Sequence, residues 1–400
     1  MKKHTWVLPV IIISQFCCTS LWFACNGVMP DLVASFDLSD RALGHLTSAV
    51  QFGFISGTLL FALFTIADRF SPSKVFLISA ILGGLFNLTM LWGNNTIVSL
   101  LIFRYLTGFF LAGIYPVGMK IAADYFKEGL GKSLGYLVGA LVLGTALPHL
   151  IKDTLGGTSW NSVVIFTTCL ATFGGVLIAL LVPDGPHRMA KLQLDPKSLY
   201  QVFLNKPFRS AAFGYFGHMW ELYAFWAFVP IMLTTYSNLS TTSSLNIPLW
   251  SFLIIGVGGI GCVMGGYISQ WFGVKSTAST ALLLSLGCCL FSPWAFGFQS
   301  DFLFLAFLLF WGMVVIADSP LFSTLVANNA SPEVKGTALT IVNCIGFSIT
   351  IVSIQMLTWL QEIMDPTLIY VFLMIGPLLG LIALRNKRKN GDELHTKIFK

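Results

Sequence analysis

Apolar runs of about 18 to 28 residues recur twelve times along this chain, and no other feature narrows its fold as much. They fall near 6–28, 42–67, 75–93, 97–121, 133–152, 161–183, 208–236, 248–271, 276–298, 302–328, 336–360 and 367–384. A helix of about 20 apolar residues crosses the roughly 30 Å hydrocarbon layer of a bilayer, so each run is long enough to span it. Membrane barrels need shorter segments of alternating polarity, which these runs lack. Composition agrees: 56% of the 400 residues are hydrophobic and 10% are charged, against about 25% charged in a soluble chain. The expected fold is therefore an all-α membrane protein with twelve transmembrane helices. The cationic start at Met1–His4 followed by an apolar run is like a signal peptide, but no small-x-small cleavage site follows, and it reads as an uncleaved first helix.

The charges orient the chain. With twelve spans and a cytoplasmic start, 20 of the 23 Lys and Arg fall on the cytoplasmic side; the rest are Arg41, Arg104 and Lys152. The positive-inside bias predicts a multi-pass protein of the cell membrane with both termini cytoplasmic. A net charge of +6 does not mark a nucleic-acid binder here, because no basic run with interleaved aromatics stands on a soluble domain. All eight cysteines lie inside apolar spans without a CxxC pair, so they read as packing residues rather than disulfides or metal ligands.

An internal repeat divides the chain. Gly108 and Pro116 in the fourth span return as Gly312 and Pro320 in the tenth, a shift of 204 (312 − 108 and 320 − 116). Two six-helix bundles are expected, at 1–183 and 208–384, with a cytoplasmic linker at 184–207 and a cytoplasmic tail at 385–400. In the linker, Asp195-Pro196 looks like a helix start.

The layout resembles the major facilitator superfamily of secondary transporters. The loop after the second span reads Ala67-Asp68-Arg69-Phe70-Ser71-Pro72-Ser73-Lys74. Asp68 and Arg69 match the family's G-x-x-x-D-R-x-G-R-K pattern, while Phe64 and Ser71 replace its glycines and Pro72 and Ser73 its basic pair. The repeat-related loop after the eighth span keeps Gly266 and Gly273 and carries Gln270 in place of the acid. Arg104 and Gly108 match the family's R-x-x-x-G element. The resemblance implies alternating access, with Asp68, Arg69, Gly266, Gln270 and Gly273 acting in gating.

Buried polar residues recur every third span. Gln15, Thr19, Trp22 and Asn26 fall near one face of the first span, Arg104 lies in the fourth, His218 and Glu221 in the seventh, and Asp318 in the tenth. In nested three-helix repeats the first helix of each repeat lines a central site near the midplane. The expected substrate cavity is Trp22, Asn26, Gln51, Arg104, Tyr115, Trp220, Tyr223 and Asn343. Arg104 reads either as a cavity cation or as a brace bound to backbone carbonyls. Asp318, before Ser319-Pro320, reads either as a cap on a half-helix or as a substrate or proton group. Glu221 is expected to be the main proton carrier, tuned by His218 three residues earlier and surrounded by Trp220, Tyr223 and Trp226.

Neither a phosphate loop nor a nucleophile elbow occurs, so enzyme and ATP-driven pump readings are set aside and no cofactor or metal is expected. The chain is expected to be a monomer in the lipid bilayer that moves a small organic solute or anion together with protons. An uncoupled facilitator, a drug or metabolite efflux antiporter and a non-transporting receptor are the alternatives. Symport against antiport, and import against export, stay open.

Overall fold

The computed structural model describes residues 6–126, 130–154, 159–188, 202–240, 244–331 and 335–385. The expected linker helix start at Asp195-Pro196 and the tail beyond Arg385 lie outside the described residues. Among the described residues twelve helical spans carry the fold. The N-terminal six are α1 Val7–Thr19, α2 Ala42–Leu63, α3 Pro72–Leu91, α4 Ile97–Tyr125, α5 Leu130–Thr154 and α6 Asn161–Leu181. The C-terminal six are α7 Lys206–Leu239, α8 Ile247–Phe272, α9 Val274–Ala295, α10 Asp301–Asn328, α11 Lys335–Ile363 and α12 Ile369–Leu384. By length and hydropathy 9 of these suffice to cross a membrane. The others are the shorter apolar α1 and α12 and the 34-residue α7, whose Trp, Tyr, His218 and Glu221 dilute its hydropathy. The chain is a multi-pass membrane protein of two six-helix bundles, joined along two seams, α2 against α11 and α5 against α8.

The internal repeat is visible atom by atom. A Cβ on Gly108 of α4 would overlap the Val50 carbonyl of α2, and a Cβ on Gly312 of α10 would overlap the Ile254 carbonyl of α8. Both members of the pair shift by the same 204 positions (312 − 108 and 254 − 50). Gly57 against the Phe109 carbonyl repeats as Gly261 against Met313. Glycine is required at these positions because two backbones touch there, as small residues permit between membrane helices. α4 breaks after Leu111 and resumes at Tyr115, while α10 breaks at Asp318 and resumes at Ser319; Pro116 and Pro320 each open the second segment. A proline lacks the amide hydrogen and fits the first turn of a helix, so the break falls just ahead of it.

The first span departs from expectation. Its apolar run 6–28 is not one helix: α1 stops at Thr19, and the chain turns through Ser20–Cys25 into a 3-10 turn at Asn26–Val28 and a short helix at Met29–Phe36. Gln15 and Thr19 therefore do not share a continuous helical face with Trp22 and Asn26. Hydropathy does not register the break, because the freed carbonyls at Leu21 and Trp22 are satisfied by Arg104, 83 and 82 residues away in sequence.

Candidate functional site

The break in α1 puts Trp22 at the centre of the molecule. Its ring stacks on Tyr223 of α7 and on Phe347 of α11, each at 5.7 Å between centroids, and lies 4.7 Å from Phe54 of α2. Tyr223 in turn meets Phe347 and Trp226, each at 5.2 Å, and Phe23 packs edge-on against Trp226. These rings come from both bundles and are all buried. Polar groups border them. Asn26 donates to Thr47 Oγ1 at 2.9 Å, and Thr47, Gln51 and Phe54 follow one face of α2. Asn26 Oδ1, Trp22 Nε1, Trp226 Nε1 and both amide atoms of Gln51 have no hydrogen-bond partner among the described residues. Buried polar atoms of this kind are normally paired, whereas this closed box of rings carries several unused donors and acceptors at its border.

Arg104 supports this box from behind. Its guanidinium donates to the Leu21 carbonyl at 3.2 Å, to the Trp22 carbonyl and, at 3.5 Å, to Asn87 Oδ1. No carboxylate pairs with it among the described residues. The cation is balanced by neutral oxygens where α1 ends, the negative pole of that helix. Of its two expected readings, the carbonyl brace is the arrangement seen.

The C-terminal bundle holds the acids. His218 Nδ1 lies 2.8 Å from Asp318 Oδ1, and both side chains are 1% exposed. Glu221 Oε1 accepts from Ser285 Oγ of α9, from Trp311 Nε1 of α10 at 2.6 Å and from Cys289 Sγ at 3.3 Å. The partner of His218 is therefore Asp318, not Glu221. Asp318 does not cap the second segment of α10 with its side chain, because that carboxylate is turned to α7. Nor do Tyr223 and Trp226 wall in Glu221. Two residues, roughly 200° round the helix, set Tyr223 and Glu221 on opposite faces of α7: Tyr223 and Trp226 look to the seam between bundles, Glu221 into its own bundle. Trp220 is set apart from the other cavity candidates, donating to the Phe372 carbonyl near the start of α12. Tyr115 and Asn343 are half-buried, Tyr115 at the restart of α4 and Asn343 on α11.

Of the gating candidates, Asp68 belongs to a network at one end of the N-terminal bundle. Lys120 of α4 pairs with Asp68 at 2.8 Å and with Asp124 at 3.5 Å. Arg188 donates to the backbone carbonyls of Asp68 and Phe70 and pairs with Asp184, which also accepts from Ser71 at 2.7 Å. Arg69 turns back to Thr65 of its own segment at 3.0 Å. Lys120, Asp184 and Arg188 were not singled out from sequence, although each stands where an apolar run gives way to charge. At the matching end of the other bundle Gly273 closes α8 with φ +83°, a conformation side chains disfavour, and Gly266 and Gln270 line a cavity with Tyr136 and Thr324. At the opposite end the bundles are tied to each other: Arg41 to Glu362, Ser48 to Gln355 at 2.8 Å, and Asn246 to Asp153.

The family model of the Major Facilitator Superfamily matches residues 11–354. The 4-hydroxybenzoate transporter PcaK of Acinetobacter baylyi is 24% identical over 213 residues, 50% of this chain and 44% of that protein, so less than half the length of that relative is matched. Among solved structures, the xylose transporter XylE of E. coli in an inward open conformation superposes with a TM-score of 0.73 at 15% identity, covering 96% of this chain and 97% of that one. The nucleoside transporter NupG gives 0.72 at 14% identity over 94% and 98%. An inward-facing bacterial homologue of the human lysosomal transporter Spinster gives 0.68 at 15% identity over 96% and 95%. At these identities the likeness carries the fold and nothing finer.

Proposed function

The chain belongs to the major facilitator superfamily and is a membrane transporter rather than an enzyme; from that premise we propose that it is a proton-coupled secondary transporter of a small organic solute. One observation carries the substrate side of this reading: the ring box of Trp22, Phe54, Tyr223 and Phe347, built from both bundles and bordered by unpartnered groups of Gln51, Asn26 and Trp22. Rings favour a solute with a flat apolar face, and the amide and indole groups favour one with hydrogen-bonding substituents. An aromatic acid, after the name of the PcaK relative, offers both; a pentose and a nucleoside, after the names of XylE and NupG, come next.

The proton side rests on Glu221 and on His218 with Asp318, ionisable groups held inside a membrane bundle where each needs a partner or a proton. The Lys and Arg distribution supports cytoplasmic termini. On that topology Arg41, Asp153, Asn246 and Glu362 tie the bundles together at the outer end. Flux of 4-hydroxybenzoate, xylose and a nucleoside into proteoliposomes, with and without an imposed pH gradient, tests the reading. Accumulation that follows the gradient supports it. Equilibration indifferent to the gradient makes the protein an uncoupled facilitator, and no flux across a broad solute panel makes it a receptor.

A further inference from the structure

The two seams between the bundles are built differently. The α2–α11 seam is filled: Ser48 meets Gln355 at 2.8 Å, Gly44 lies directly against Thr358, Cys344 reaches the Ile55 carbonyl, and Phe54 and Phe347 are 4.6 Å apart. The α5–α8 seam closes on glycines and leaves a groove beside them. Gly139 and Gly259 meet across it backbone to backbone next to Leu143, and a Cβ on either would stand 3.7 to 4.0 Å from its neighbours, in ordinary contact. Over these glycines opens a cavity of about 760 Å³ walled by Ile12 and Phe16 of α1, Leu143 of α5, Phe252 and Ile260 of α8 and Leu309 of α10. Ile13, Leu143, Ile260 and Val263 form an exposed apolar rim, so the groove is open sideways. A second cavity of about 380 Å³ shares Tyr136 and Val263 with the first, and continues it toward the end of α8. There the lining turns polar and uncharged, with Ser269, Gln270 and Thr324.

We propose that this groove is a lipid site, holding an acyl chain of a membrane phospholipid along α5 and α8, with its ester region at Ser269, Gln270 and Thr324. Three observations choose that occupant. The groove lies on spans that cross the membrane and opens where acyl chains are the surrounding solvent. Its polarity changes once, from apolar body to neutral hydrogen-bonding mouth, in the order of a phospholipid chain and its ester linkage. It is also continuous with the interface between the bundles, so a lodged chain bridges α1, α5, α8 and α10 and steadies the conformation in which Asp153 meets Asn246 at the head of the same seam. The site is separate from the ring box around Trp22 and does not depend on the solute assigned to it.

The test fills the floor. Gly139→Leu and Gly259→Leu have room for their first carbon and extend into the groove, whereas Gly258→Leu, which meets the Ile316 side chain, and Gly261→Leu, which meets the Met313 carbonyl, report what misfolding does. The full-length protein is extracted in mild detergent, and retained phospholipid is counted by native mass spectrometry, with thermal unfolding recorded on the same samples. Filled variants that unfold like the wild type are expected to retain about tenfold less phospholipid, because every methylene kept out of the groove weakens retention several-fold. Added phospholipid should raise the melting temperature of the wild type and not of the filled variants. Unchanged retention and unchanged lipid response in both folded variants overturn the proposal. A change in oligomeric state without loss of lipid reassigns the groove to a second copy of the chain, and loss of solute binding without loss of lipid reassigns it to the solute; either result also overturns it. Should both variants misfold, Ile13→Trp on the rim narrows the groove from its exposed side, and unchanged retention there overturns the proposal equally.

Discussion

The two bundles share a backbone and differ in the charge they bury. Arg104 of α4 corresponds, at the 204-residue shift, to Leu308 of α10 (308 − 104). His218, Glu221 and Asp318 correspond to Ser14, Cys17 and Ile114 (218 − 14, 221 − 17 and 318 − 114). The N-terminal bundle thus holds a cation among neutral oxygens beside the end of α1, with His149 on α5 and Asp124 near the end of α4 also buried, and the C-terminal bundle buries a histidine and two acids held by donors and by one another. Their first helices differ in step. α1 breaks after 13 residues and gives its carbonyls to Arg104, while α7 stays helical for 34 residues and presents its polar side chains instead. An arginine stays charged at any ordinary pH, and a histidine or a carboxylic acid does not. The comparison assigns shape to Arg104 in the first bundle and titration to His218, Glu221 and Asp318 in the second.

The sharpest way to break that division is Arg104→Ala. It strips the Leu21 and Trp22 carbonyls of charge-assisted hydrogen bonds worth about 1.5–3 kcal/mol each, so Trp22 should leave its stack. Flux should fall to background, with a drop in melting temperature, while the protein still inserts. Arg104→Lys, lacking the forked donor, should restore little. Flux and the fluorescence of the Trp22 environment check this, and near wild-type flux in Arg104→Ala would remove Arg104 from the account.

Glu221→Gln should separate coupling from shape. The amide keeps an acceptor for Ser285, Trp311 and Cys289, so stability should move by about 1 kcal/mol or less, within the range of one neutral hydrogen bond. Gradient-driven accumulation should vanish, while solute binding and exchange persist. If Glu221→Gln still concentrates solute against its gradient, the proton site lies at Asp318.

The His218–Asp318 pair should act as one unit. Removing either partner leaves the other alone in a buried site, and a coupling of about 0.5–3 kcal/mol is expected between His218→Gln and Asp318→Asn. The double variant should be hardly less stable than the worse single one. The ion pair exists only while His218 is protonated, so the wild-type pH dependence of flux should flatten in both single variants. Strictly additive melting temperatures would show that the 2.8 Å contact carries no coupling.

The smallest effect is expected from Asp68→Asn, at the edge of the N-terminal bundle. It weakens the Lys120 contact and leaves the backbone carbonyl that Arg188 uses. Partly exposed pairs contribute about 1 kcal/mol or less, so turnover should slow by a few fold with solute affinity unchanged. A tenfold change in binding at normal turnover would place Asp68 nearer the solute than its position at a helix end allows.

Much of this protein is legible in its sequence because hydropathy and charge act locally and add up along a span. Twelve apolar runs, the paired Gly108–Pro116 and Gly312–Pro320 elements, and ionisable groups on α4, α7 and α10 need only short windows of residues to be seen. The direction in which a buried group points is a different kind of fact. His218 and Glu221 are three residues apart on one helix, yet one meets Asp318 and the other Ser285, Cys289 and Trp311, because the elements packed around α7 decide which donor is nearest. The end of α1 at Thr19 is the clearest case. The run 6–28 is apolar enough to read as one span, and its helix stops where Arg104 supplies donors to the carbonyls of Leu21 and Trp22. That exchange pairs groups more than 80 residues apart, and only the packed bundle brings them within a hydrogen bond.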